Sequence, residues 1–172
     1  MIKIIGCVVI LGASTLIGIV YSQRLKYRVF QLTEVQRAVY QLQNEITYVH
    51  TLLPDAFKSI AHKSKEPIKE LFNKTSELLS DNDYENVYEA VNSAMDTVKS
   101  RLYLNSDDIN VILDLSKTLG ESDIEGQNSI FELTIGNLKK QIKISEDFMN
   151  KNSKMYRYLG FSFGAMLALA LI

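Results

Sequence analysis

The chain has 172 residues, with 19 Lys/Arg against 20 Asp/Glu and a formal net charge of −1. A lone cysteine, Cys7, excludes an intrachain disulfide. Apart from two apolar ends, the chain is long enough for one small domain with one modest core.

The first predicted element is an apolar run from Ile4 to Tyr21, eighteen residues without a charge. As a helix it reaches ~27 Å, a membrane-spanning length. A retained anchor is expected rather than a cleaved signal. Only Lys3 charges the segment before it, and Tyr21-Ser22-Gln23-Arg24 offers no small-x-small cleavage site. Ile4-Ile5-Gly6-Cys7 reads like a lipoprotein cleavage box, but six residues are too few for the segments that must precede one. Ser14 and Gly18 stand four apart in this run.

Next, Leu25, Val29, Leu32, Val35 or Gln36, Val39, Leu42, Ile46 and Val49 recur at steps of three and four. They predict an amphipathic, heptad-like helix continuous with the anchor and stopped by Pro54. Thr51 lies where an N-cap is expected, and Ala56, Phe57, Ile60 and Ala61 give a second helix its apolar face. Pro67 opens a third, with Ile68, Leu71, Phe72, Leu78 and Leu79 inward and Ser80-Asp81-Asn82-Asp83 as its end. Val87, Val91, Ala94 or Met95, Val98 and Leu102 make a fourth. Asn105-Ser106-Asp107-Asp108 caps a fifth, with Ile109, Ile112, Leu113, Ser116 and Leu119 inward and Gly120 as its stop.

A last helix starts near Ser122-Asp123 with a seam of Ile124, Phe131, Ile135, Leu138, Ile142, Met149, Tyr156 and Leu159. It runs into a second apolar segment from Tyr158, of ~22 Å as a helix, with Gly160, Gly164 and Ala168 at four-residue spacing. Small residues so spaced let helix backbones approach in lipid, so the two runs can pair with each other or with other subunits. Glycine is also simply common in membrane helices. No strand alternation is visible. The expected fold is therefore all-α: a transmembrane helix over 1–22, a six-helix cytoplasmic bundle over 23–157, and a membrane segment over 158–172.

Charge is distributed unevenly. Residues 22–41 and 138–157 hold ten Lys/Arg against three acids, while 42–137 hold eight against seventeen, a net of −9. Basic flanks suit anionic headgroups and, by the positive-inside rule, place the bundle in the cytoplasm. An acidic middle suits a basic protein partner and disfavours nucleic acid. It also simply keeps a domain soluble.

No catalytic, cofactor-binding or metal-ligating constellation emerges. His50 and His62 straddle Pro54 without a third ligand. There is no GxxxxGK[ST] phosphate loop and no GxSxG elbow, and Asp107-Asp108 read as a helix N-terminus. The aromatic residues fall at helix spacing, as core or interface. No enzyme, cofactor or small-molecule substrate is expected.

Several segments together resemble one family. They are Glu45-Ile46-Thr47-Tyr48 with Thr51-Leu52-Leu53-Pro54; Pro67-Ile68 with Leu71-Phe72; Leu119-Gly120 with Asp123 and Gln127; Met155-Tyr156-Arg157-Tyr158-Leu159-Gly160; and the opening Met1-Ile2-Lys3-Ile4-Ile5-Gly6. In order and spacing the chain is similar to the stage III sporulation protein AB family of endospore-forming bacteria. It departs from that pattern with Leu52 in place of a proline and Gly126 in place of a longer polar residue. The resemblance implies a non-enzymatic membrane component of the sporulation channel between mother cell and forespore, akin to the platform proteins of type II secretion and type IV pilus machines. It implies a location in the outer forespore membrane with the bundle facing the mother cell. The partners implied are the channel's ATPase, stage III sporulation protein AA, and other stage III channel proteins. Glu45, Tyr48, Leu119, Gly120, Asp123 and Gln127 are the partner-interface candidates; Ser14, Gly18, Gly160, Gly164 and Ala168 are candidates for membrane-helix packing. Glu45 and Tyr48 can equally knit helix to bundle, and Asp123 can cap a helix. Two other readings are a tether or coiled-coil oligomer with no ATPase partner, and a membrane-anchored enzyme or ligand sensor.

Overall fold

In a computed structural model, residues 2–81, 84, 86–119 and 124–171 are described; for 2–5, 7, 124, 125, 170 and 171 only the backbone is. Helix α1 is Ile2–Thr47, α2 Leu53–Lys63, α3 Ile68–Ser80, α4 Val87–Val98, α5 Ser106–Thr118 and α6 Ile124–Leu171. A 3-10 turn, Lys99–Arg101, follows α4. The described residues contain no strand, so the all-α expectation holds. The chain forms two compact units: Phe30–Ile142, and Met1–Val29 with Lys143–Ile172.

In the unit Phe30–Ile142, α1 supplies a buried stripe of Leu32, Val35, Val39 and Leu42. The same core holds Ala56, Phe57, Ile60 and Ala61 of α2, Ile68, Leu71 and Phe72 of α3, Val91, Ala94 and Val98 of α4, Ile112 and Leu115 of α5, and Phe131 and Leu138 of α6. These positions recur at three- and four-residue steps, so each helix turns one face to a common core. The Phe57 and Phe72 rings stack with centroids 5.9 Å apart.

The short connections make α2 to α5 run antiparallel in succession. Ser76 Oγ of α3 donates to the Pro54 carbonyl at the start of α2, 2.8 Å away. Lys117 near the end of α5 lies 5.4 Å from the Tyr88 ring at the start of α4. One end of the bundle therefore gathers the α1–α2 turn, the ends of α3 and α5 and the start of α4. The other end gathers residues 64–67 and 99–105.

Three expected boundaries shift. The first helix stops at Thr47, before Pro54 can act. The chain turns there through His50, which takes a left-handed conformation with φ 57°. The Thr51 N–H reaches back to the Glu45 carbonyl at 2.9 Å, and Val49, expected inward, is exposed. Thr51 caps nothing: Leu52 is the N-cap of α2, without a side-chain bond, and Pro54 stands in the first turn. The fourth helix ends at Val98, so Leu102 packs against the core from outside it. The fifth-helix cap holds. Asn105 Oδ1 accepts from the Asp108 N–H at 2.8 Å and Asp108 Oδ2 accepts from the Asn105 N–H at 3.0 Å, a reciprocal capping box. Gly120, expected to stop this helix, lies outside the described residues. On α6, Phe131, Ile135 and Leu138 face inward as expected, whereas Leu159 is exposed.

Polar side chains of α1 tie down the end of the bundle where α1 enters. Buried Gln31 donates from Nε2 to the Arg101 carbonyl at 2.9 Å and accepts from the Tyr103 N–H at 2.7 Å. Buried Glu34 accepts from Arg37 at 2.7 Å and from the Lys65 N–H at 3.2 Å, while Arg37 also donates to the Lys63 carbonyl. Arg101 and Glu70 form an ion pair beside them. Gln31→Leu keeps the volume but strands a backbone donor and acceptor, a cost of about 1–3 kcal/mol. The expected outcome is a lower thermal midpoint of the detergent-solubilised chain by circular dichroism; an unchanged midpoint would show that the clamp contributes nothing.

Candidate functional site

Two sets of residues bear on function, one in each unit. In the unit Met1–Val29 with Lys143–Ile172, the first and last helices lie antiparallel and touch through small residues. Gly18, Gly164 and Ala168 are buried between them. A Cβ on Gly18 would stand 2.6 Å from the Tyr156 carbonyl oxygen, and one on Gly160 2.8 Å from that of Ser14. A Cβ on Gly164 would stand 2.9 Å from the Cβ of Ser14. At Gly18 and Gly160 the obstacle is backbone, which cannot swing aside, so only glycine permits this approach.

Hydroxyl groups use the same closeness. Ser14 Oγ donates to the Gly160 carbonyl. Ser22 and Ser153 hydroxyls meet at 2.8 Å, and Arg157 Nε donates to Ser22 Oγ at 3.2 Å. Tyr21 and Tyr156 stack at 5.9 Å, with the Arg24 guanidinium 5.6 Å from the Tyr21 ring. The five residues expected to pack membrane helices thus lie in the two runs that pair with each other. Val8, Leu16, Ile17, Phe161, Phe163 and Leu169 point outward and exposed, as a lipid-facing surface does. Among the described residues one helix, α1, is long and apolar enough to cross a membrane, with a window of mean hydropathy 1.5 in Val8–Thr47.

The second set lies in the bundle, at the end that holds the α1–α2 turn. Glu45 faces inward across the turn. Its carboxylate accepts from Ser59 Oγ at 2.8 Å, from Thr51 Oγ1 at 3.0 Å and from Lys63 Nζ at 3.3 Å. The Ser59 bond, then those from Thr51 and Lys63, hold its pKa below the ordinary 4.5. Three residues on, Tyr48 points into solvent. Leu119 is buried in the core at the end of α5. Gln127 is half-buried on α6, beside Asn128, whose Oδ1 accepts from Thr47 Oγ1 at 3.3 Å and Gln43 Nε2 at 3.5 Å. Gly120 and Asp123 lie outside the described residues. His50 and His62 are both exposed, and among the described residues no three His, Cys, Asp or Glu side chains are placed to hold a metal.

Sequence reasoning missed the polar ties. Asn86 accepts from the Glu89 N–H at 2.9 Å as the cap of α4, and an Asn three residues before a Glu is a readable cap signal. Gln31 and Asn128 carry no such signal, because their partners lie far away in the chain, and nor does the bond from the Lys65 N–H to Glu34.

The glycine contact generates a direct test. In a Cys7→Ser background, Ser22→Cys with Ser153→Cys is expected to form a disulfide on mild oxidation, read as a gel shift under non-reducing conditions. Adding Gly160→Leu is expected to push the helices apart and abolish it. A disulfide that survives Gly160→Leu would show that the pair does not depend on close backbone approach.

The chain is similar to known proteins over its whole length. The family model described as stage III sporulation protein AB matches residues 3–172. Stage III sporulation protein AB of Bacillus subtilis (strain 168) is 30% identical over 172 residues, covering 100% of both chains. A solved structure of a stage III sporulation protein AB superposes with a TM-score of 0.66 at 26% identity, covering 72% of this chain and 96% of that one. With its all-helical fold and its long apolar N-terminal helix, this chain belongs to the stage III sporulation protein AB family.

Proposed function

We propose that the chain is a non-enzymatic membrane platform of the channel between mother cell and forespore, and that it docks the channel's ATPase, stage III sporulation protein AA. Family membership supports a role in sporulation alongside other stage III proteins. The observation that carries the docking role is the gathering of carboxylates at one end of the bundle. Asp55, Glu77, Asp81 and Glu89 are exposed on the elements that meet there. Of the cations there, Lys74 pairs with Glu77 at 3.1 Å and Lys117 with Asp114 at 2.9 Å, while Lys58 is exposed on α2. That bond to Asp114 holds the Lys117 ammonium above its usual pKa. Such a surface attracts a basic partner and repels anionic lipid.

The paired apolar helices are the membrane part, and the bundle stands in the mother-cell cytoplasm beneath the outer forespore membrane. The basic flanks Arg24, Lys26, Arg28, Lys151, Lys154 and Arg157 support that orientation. A tether built as a coiled-coil oligomer fits less well. The heptad-like stripe it would use on α1, Leu32 to Leu42, is buried in the chain's own core.

Orientation is tested by protease access. The bundle is expected to resist protease in intact protoplasts and to be cleaved in inverted vesicles; the reverse pattern would refute the placement. Docking is tested by capture of the purified ATPase on the full chain in detergent. Reversing Asp55, Glu77, Asp81 and Glu89 to Lys is expected to weaken capture at least about tenfold with an unchanged circular dichroism spectrum. Undiminished capture would remove the acidic end from the mechanism.

A further inference from the structure

The end of the bundle just described also carries an apolar feature that charge does not explain. Tyr48, Val49 and Leu52, all on the α1–α2 turn, are 74%, 60% and 74% exposed. Isolated exposed apolar residues are ordinary on any protein. Three within five residues, on one turn and each more than half exposed, are not scattered.

The turn is held from behind. Tyr48 and Val49 N–H groups both donate to the Asn44 carbonyl, at 3.1 and 3.2 Å. His50 takes the left-handed conformation. Thr51 is fixed twice to Glu45, through its N–H to the backbone carbonyl at 2.9 Å and through its hydroxyl to the carboxylate at 3.0 Å. Ser59 and Lys63 of α2 hold the same carboxylate. An apolar group already fixed in place loses little freedom on binding, so its burial counts more fully toward affinity. Glu45 is thus a positioning residue for the turn.

We propose that Tyr48, Val49 and Leu52 form the apolar anchor of a protein-docking surface. Its partner presents an apolar pocket rimmed by Lys and Arg. Charge decides between the occupants. The rim around the turn carries exposed Asp55, Glu77 and Asp81 against Lys58, with Lys63 and Lys74 paired to Glu45 and Glu77. A second copy's matching end or an anionic membrane would be repelled, and a basic protein surface is attracted. A central aromatic–aliphatic anchor with a charged rim is how protein interfaces concentrate their binding energy.

The inference rests on the ATPase reading above, and the test separates the two. Full chain in detergent is titrated with the purified ATPase as wild type, as Tyr48→Ala with Leu52→Ala, and as Tyr103→Ala, which alters an exposed aromatic at the other end of the bundle. A photo-reactive benzoylphenylalanine at Leu52 supplies a readout that needs no truncation. The expected result is a Kd raised at least about tenfold in the double variant, no change in Tyr103→Ala, and an ATPase adduct from position 52. Equal binding by wild type and double variant, with no adduct, overturns the anchor and leaves the ATPase reading standing. An adduct with a second copy alone also overturns it. Failure of the wild type to bind the ATPase overturns both.

Discussion

Within the bundle, burial of one apolar face from each helix in a common core is what the rest depends on, and α1 supplies one of those faces. Its stripe of Leu32, Val35, Val39 and Leu42 is almost wholly removed from water. At roughly 1.5–3 kcal/mol per buried aliphatic side chain, an upper estimate, these four residues supply much of what holds the helices together. The polar neighbours of that stripe do different work. Gln31 fixes residues 101 and 103, Glu34 and Arg37 fix 63 and 65, Glu45 fixes 51 and 59, and Gln43 and Thr47 reach 128. A net contribution of about 0.5–1.5 kcal/mol each makes them secondary to burial. Their value is in register, since buried Gln31 and Glu34 lose their partners if a helix slides.

The same helix uses two packing chemistries. Toward its N-terminus, contact runs through Ser14, Gly18 and Ser22; further on it runs through branched aliphatic residues. Water accounts for the second kind, because covering large apolar side chains is favourable only where water is displaced. Lipid offers no such gain, so helices there hold by backbone proximity and by hydroxyl-to-carbonyl bonds. The change from small to large contact residues along α1 is what a helix that leaves a bilayer for an aqueous domain would need.

That periodic part of the design was legible from the chain. Leu32, Val35, Val39, Leu42, Phe57, Ile60, Phe131 and Leu138 all stand at the expected spacing and all are buried. The Asn105 cap was legible because its two bonds lie within four residues. What was not legible is non-local or conformational. The stop at Thr47 goes with His50 adopting φ 57°, which few non-glycine residues do, whereas the only breaker visible in the sequence there is Pro54. The stop at Val98 depends on Gln31, some seventy residues earlier, capturing the next segment. Glu45 and Tyr48 looked alike as candidates because sequence gives no direction to a side chain in a helix's last turn. One faces α2 and the other faces out.

This division of roles on one turn has a kinetic consequence. Exposed carboxylates act over a Debye length, about 8 Å at physiological salt, and so guide approach before contact. An apolar anchor acts only once water is displaced, and so governs departure. A surface that combines them lets a partner arrive quickly under electrostatic attraction and leave at a rate set by a few buried side chains. Separate control of arrival and release is an advantage that neither a purely charged nor a purely apolar surface provides.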